Sequence, residues 1–368
     1  MMTGLYLLLI PIVTGTIIGI DFGSQFIKVA YQTYNRPPEI VADPSGKRKI
    51  DNAVFFDENV RVYGNNAKSY AITKPDYVFI GMNELLGQGT ESAIPAVFQQ
   101  RGFPYEFVQT KRNTWSLRLL SGSGFPEYDT VTVEELNAMI LDYLVSIVEK
   151  EFEEKGREVV IAVPSAFSQT QRQALLDAAN LANIKVHALL DQTTASAITY
   201  AITRTGEGIK RVLVYDVGSH HTEVSAVEIE TVRKDKVFSR NVVVLGKESM
   251  DVGGEDFTNG MLSILRDHYE QQFHHDPFDD MKLHARLRTQ SEKYKEVLSA
   301  NREVLVNEAS VWNGEDLRFM LTRDEFEEEV TGVLAKVLLP LSRLEMKMKK
   351  FIQIYLDSNI LIVMKYMD

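Results

Sequence analysis

Two apolar strands in this chain each run into the same short device, Asp-x-Gly-Ser. The first is Ile17-Ile18-Gly19-Ile20-Asp21-Phe22-Gly23-Ser24, and the second is Leu213-Val214-Tyr215-Asp216-Val217-Gly218-Ser219. Each is followed by a second strand-like run, Phe26–Tyr31 and Thr222–Ile229. A hairpin whose tight turn carries Asp and Gly offers backbone N–H groups to an anion and a carboxylate to a hydrated metal ion. A single copy would be an ordinary turn, because Asp and Gly are common turn residues. A matched pair, one per half, implies a duplicated two-lobed fold that grips a nucleotide's phosphates from both sides. His268, His274 and His275 lie beside Asp276, Asp279 and Asp280, but no pair has convincing ligand spacing on a predicted scaffold. That cluster reads as solvated surface, and His220-His221 reads as loop filling.

The elements that must hold these turns are legible around them. Short strands are expected at Ala53–Phe56 and Val60–Tyr63, with a helix over Gly64–Ile72. Phe107–Lys111 and Trp115–Leu120 alternate like strands, and Ser121–Gly124 marks a loop. Thr132 with Glu135, and Ser168 with Gln171, have the capping-box spacing that starts a helix. Val159–Val163 and Val186–Leu190 read as continuous apolar, buried strands, and Thr193–Ile202 as a helix. Strands alternating with helices in this way predict a parallel or mixed sheet covered by helices. A short Gly/charge segment, Arg204–Lys210, marks the lobe boundary. Beyond the second hairpin come a strand at Asn241–Leu245 and a largely helical region from Phe257 to about Leu298. A β segment over Glu303–Met320 follows, then a last helix from near Thr322.

Composition sets the outer limits. With 45% apolar and 25% charged residues, the 368-residue chain can build a sizeable core. A net charge of -11 and the lack of any long Lys/Arg run argue against a nucleic-acid partner. There are no cysteines, so disulfides and thiolate metal sites are excluded. Leu5–Val13 is an apolar run followed by the small residues Thr14-Gly15-Thr16, which fits a secretory signal peptide over 1–15 without the usual leading positive charge. The competing reading is a buried first strand, but the hairpin already supplies its own strand from Thr16. No internal run reaches the ~20 apolar residues of a membrane span, so no membrane association is expected after cleavage.

From Thr16 to about Leu344 the chain resembles the nucleotide-binding domain of the seventy-kilodalton heat-shock protein superfamily. The two Asp-x-Gly-Ser strands carry the match, together with Ala162–Arg172, Thr194–Tyr200 and Asp251-Val252-Gly253-Gly254-Glu255-Asp256-Phe257. The leader, the Gly218-Ser219 pair and Leu298-Ser299-Ala300-Asn301 resemble the family's large endoplasmic-reticulum branch, whose chaperone is hypoxia up-regulated and glucose-regulated. The resemblance implies an α/β, actin-like two-lobed ATPase fold built from duplicated ribonuclease-H-like lobes. It implies ATP or ADP with Mg²⁺ as cofactors, Asp21 and Asp216 holding the metal through its waters. The backbone at Gly23, Ser24 and Gly218 would meet phosphate oxygens, with Gln25 and Ser219 beside them. Gly253, Gly254 and Glu255 would border the nucleotide, and Glu292, Lys295 and Ser299 would face the adenosine from one helix. That i, i+3, i+7 spacing also fits any solvated amphipathic helix face. Pro164 and Arg172 sit where the family couples nucleotide state to client binding. The implied partner is a smaller lumenal heat-shock chaperone, for which the large branch is an exchange factor.

Several positions depart from the family. Asn83 stands where the family has a catalytic lysine, and a neutral amide cannot stabilise developing phosphate charge as an ammonium does. Gln192-Thr193 replaces Glu-Pro, His220 and His221 replace loop glycines, and Glu296 replaces an adenine-stacking arginine. Together these imply weak ATP hydrolysis at most, and no catalytic residue is assigned. The expected organisation is a signal peptide over 1–15, lobe I over 16–204, a partial lobe II over 205–350 and a non-family tail over 351–368. The family's Gly-Gly-x-x-Arg motif, client-binding β-sandwich and lid are not found, so unfolded clients are expected only if such a part exists. The uncharged run Ile360–Met364 is an aggregation-prone window if exposed. Two other functions share the fold or its surface: a small-molecule kinase, and a partner-binding fragment that uses no nucleotide.

Overall fold

Strand Ile17–Phe22 alternates half-buried and buried residues, as a strand with one face on a core must. It pairs antiparallel with Phe26–Gln32 and parallel with Glu158–Val163. In this computed structural model the described residues are 17–33, 37–57, 60–120, 128–153, 156–204, 206–234, 237–352 and 361–365. The expected leader over 1–15 and the loop Ser121–Gly124 lie outside them, as do 353–360 and 366–368 of the expected tail. The first sheet runs, in spatial order, Lys185–Asp191, Glu158–Val163, Ile17–Phe22, Phe26–Gln32, Glu39–Val41. The apolar run Val186–Leu190 predicts a buried strand, yet the side chains of the strand found there, Lys185–Asp191, are exposed or half-buried. Among the described residues it is the edge strand of its sheet, paired on one side only.

The second sheet repeats this logic. Gly208–Val217 pairs antiparallel with Thr222–Lys234, which pairs in turn with Val237–Met250. On its other side lies a parallel strand, Leu361–Lys365. The tail, expected to match nothing, thus takes the place that Glu158–Val163 holds in the first lobe. Its apolar, partly β-branched run suits a parallel strand. The result is a mixed α/β, actin-like, two-lobed ATPase fold, as the paired hairpins implied.

Helices set the lobes around the two turns. Thr132 and Ser168 form complete capping boxes for Val133–Phe152 and Gln169–Leu181. Leu141, Leu144, Val145 and Val148 of the first helix and Leu175 and Ala178 of the second are buried with Ile18, Ile20 and Ile161 in one core. Each fully buried Leu, Val or Ile side chain contributes about 1.5–3 kcal/mol. The expected helix over Gly64–Ile72 is shorter, Gly64–Lys68. The helical region after Phe257 is two helices, Gly254–Phe273 and Met281–Ala300. They part at His274, which has a left-handed φ of 58°, and Asp280 caps the second. His268 bonds Glu325 and stacks on Phe319, and His275 lies against Trp312. This helix pair packs with the hairpin Glu303–Trp312 and Glu315–Thr322 around a separate core.

Candidate functional site

The two Asp-x-Gly-Ser turns meet. Asp21, Gly23, Ser24, Gln25 and Lys28 from the first hairpin face Asp216, Gly218 and Ser219 from the second across one open cleft of about 460 Å³, with Gln192 at its side. At Gly23 a Cβ would lie 2.3 Å from the Phe26 carbonyl oxygen, so the turn closes only without a side chain. Asp216 is buried, and Ser219 Oγ is buried with no hydrogen-bond partner among the described residues. The Gln192 amide donates to Asp21 Oδ1 at 3.3 Å.

Asn83 lies behind this turn, buried. Its Nδ2 donates to the Phe22 carbonyl at 3.1 Å, and its Oδ1 accepts from Asn52 Nδ2, which also donates to the Gly23 carbonyl at 3.0 Å. Two asparagines therefore hold the backbone of the first turn from the rear. The second turn is held by a helix: Gly254 N–H donates to the Gly218 carbonyl and Glu255 N–H to that of Ser219, at 2.9 and 2.8 Å. A Cβ at Gly253 would sit 2.3 Å from the Gly218 oxygen. The N–H groups of Gly254 and Glu255 are thus bonded within the second lobe rather than directed at the cleft.

Above the cleft the lobes touch through charged side chains around an open pocket of about 770 Å³ that includes Glu84, Arg101, His220, Glu255, Arg288 and Glu292. Lys68 reaches from the first lobe to Glu292 at 2.8 Å and lies 3.3 Å from Asp51. Glu84 receives Arg101 at 3.0 Å and faces His220 Nε2 at 3.1 Å. Arg288 bonds Glu255 and donates to the Arg101 carbonyl. Burial pushes the Arg288 guanidinium down to about 10, and burial, with Arg101 adding to it, holds His220 well below its usual range. Burial raises Glu84, against Arg101. Of the three residues expected on the adenosine face, only Glu292 borders this space. Lys295 Nζ donates to the Gly254 carbonyl and Thr258 hydroxyl, at 3.0 and 2.9 Å, and exposed Ser299 bonds the Glu296 carbonyl. On the far side Arg172 pairs with Asp191, which also pairs with Lys247 of the second lobe. Next to Pro164, Ser165 N–H donates to Glu223 of the second lobe at 2.6 Å.

The Hsp70 protein family model matches residues 17–352. The chain belongs to the Hsp70 family. It is 30% identical over 357 residues to hypoxia up-regulated protein 1 of Xenopus laevis, covering 92% of this chain and 54% of that one. It is 29% identical to a ribosome-associated molecular chaperone of Zygosaccharomyces rouxii, covering 89% and 51%. Against putative heat shock 70 kDa protein 7 of Homo sapiens it is 28% identical, covering 89% and 85%. The chain spans about half the length of the first two relatives.

Hsp70 proteins bind ATP or ADP with Mg²⁺, and the residues of the lower cleft fit such a group. Two carboxylates, two glycine-bearing turns and an orphaned hydroxyl converge there. Asp21 and Asp216 would hold a metal's waters, and the turns would meet phosphate oxygens. Sequence reasoning missed Lys28, Asn52 and Glu223. Lys28 had a usable signal, since alternation along Phe26–Gln32 puts it on the face of Asp21; the other two depend on contacts far apart in sequence.

Proposed function

We propose that this chain binds ATP or ADP with Mg²⁺ between two lobes, 16–204 and 205–350, as the nucleotide-binding part of a chaperone of the endoplasmic-reticulum lumen. The observation that carries the reading is the convergence of Asp21 and Asp216, each beside its turn glycine, on one cleft. The metal, when bound, neutralises phosphate charge. The chain's own residues hold and orient: Asp21 and Asp216 the metal's waters, Gly23, Ser24, Gln25, Gly218 and Ser219 the phosphates. Glu292, which lines the upper pocket, is the candidate for the adenosine side, with Gly253, Gly254, Glu255, Lys295 and Ser299 as further candidates. Turnover is slow, because Asn83 is bound into the back of the hairpin and Gln192 adds an amide rather than a carboxylate. Pro164 and Arg172 border contacts with the second lobe, which suits a coupling role. Titration calorimetry of ADP with and without Mg²⁺ tests the reading. Wild type should bind, and Asp216→Asn should lose the metal-dependent part; no binding by the wild-type chain would sink it.

The apolar run Leu5–Val13 and the likeness to hypoxia up-regulated protein 1 support a lumenal place. There the partner is a smaller heat-shock chaperone, with this chain aiding its nucleotide exchange; clients would need the family's β-sandwich and lid. The comparable likeness to the ribosome-associated chaperone supports a place on the ribosome instead. The mature N-terminus decides between them: a start near residue 16 means cleavage and lumenal entry, and an intact Met1 favours the second.

A further inference from the structure

We infer that Lys28 is the cation that meets the nucleotide's terminal phosphate in this protein. The inference rests on the nucleotide reading above. Lys28 pairs directly with Asp21 across the first hairpin, in register. Directly opposed residues point to the same face with Cβ atoms about 4.5–5.5 Å apart. Both side chains line the lower cleft, where Asp216, Gly218 and Ser219 stand opposite. Among the described residues lining that cleft, Lys28 is the one carrying a positive charge.

Two carboxylates and a bound phosphate chain put several negative charges in one place, and a single divalent ion offsets only part of them. The other cations close by are directed elsewhere. Lys68 is held by Glu292, and Lys295 by the Gly254 carbonyl and the Thr258 hydroxyl. Arg288 is bonded to Glu255. Position 83, behind the turn, holds a buried amide bonded to backbone. Lys28 needs no vacancy to act. An ammonium has three donors, so it can face Asp21 and a phosphate oxygen together. Its flexible four-carbon stem lets the charge follow the phosphate.

The test is calorimetric binding of ATP, ADP and adenosine to the full chain, its Lys28→Met variant and its Lys28→Arg variant. A charge-assisted hydrogen bond predicts that Lys28→Met weakens ATP by roughly tenfold or more. ADP should weaken less and adenosine not at all, and Lys28→Arg should recover most of the ATP affinity. Equal ATP binding by wild type and Lys28→Met, with Asp216→Asn still impaired, overturns the inference and leaves the nucleotide reading standing. Failure of the wild-type chain to bind ATP, ADP or adenosine overturns both. If Lys28→Met does not fold, acylation of amines in the unsubstituted chain decides. Lys28 should be protected by ATP and not by adenosine; equal labelling overturns the inference.

Discussion

Asn83 and Asn52 form a small buried amide pair whose donors both go to backbone carbonyls of the first turn, at Phe22 and Gly23. Position 83 therefore supports the site from behind and presents nothing to the cleft. Placing a lysine there should not raise hydrolysis. Asn83→Lys would bury an ammonium and strip the Phe22 carbonyl and Asn52 of their partner. The expected outcome is unchanged ATP turnover and a loss of about 2 kcal/mol or more in urea denaturation. A clear rise in turnover would refute the structural role given to Asn83.

The two Asp-x-Gly-Ser turns are built alike but supported differently. The first is held by side chains, the second by the start of helix Gly254–Phe273, whose amides bond the Gly218 and Ser219 carbonyls. That docking needs a glycine at 253 for space, since a Cβ there would strike both carbonyls at 2.3 and 2.5 Å. Backbone φ at Gly253 is -171°, which any residue adopts, so the constraint is purely steric. Gly253→Ala should push the turn off the helix, costing about 1–3 kcal/mol as overpacking does. ADP affinity should fall with it while the far-UV circular dichroism stays unchanged. Full ADP affinity in this variant would mean that the helix does not set the turn.

Across the whole molecule the upper contact between lobes places neighbouring histidines under opposite influences. Burial, and next to it Arg101, hold His220 well below its ordinary value. The unfolded chain then takes up that proton first, so stability falls as pH drops below about 6.5. For His221 burial also lowers the value, but its 2.9 Å bond to Asp251 outweighs this and the net shift is upward. That group adds stability below about 6.5 and loses it as pH rises through its folded value. His220→Gln should therefore shrink the drop in melting temperature between about pH 7.5 and 5.5, and His221→Gln should enlarge it. Identical slopes in all three proteins would remove the inter-lobe histidine from any account of acid sensitivity.

The sequence by itself determined the duplicated device. Asp21 and Asp216, their turn glycines, the capped helices after Thr132 and Ser168, and the fold class all follow from local pattern, because strand period, turn chemistry and capping act over a few residues. Tertiary structure alone decided what meets what. That Asn83 braces a turn, that Lys295 and Ser299 bond within their own lobe, and that Lys185–Asp191 is an edge all depend on contacts between distant segments. Leu361–Lys365 shows the same limit. Its apolar run was visible, but its use as the second lobe's parallel strand required Gly208–Val217 to present an unpaired side.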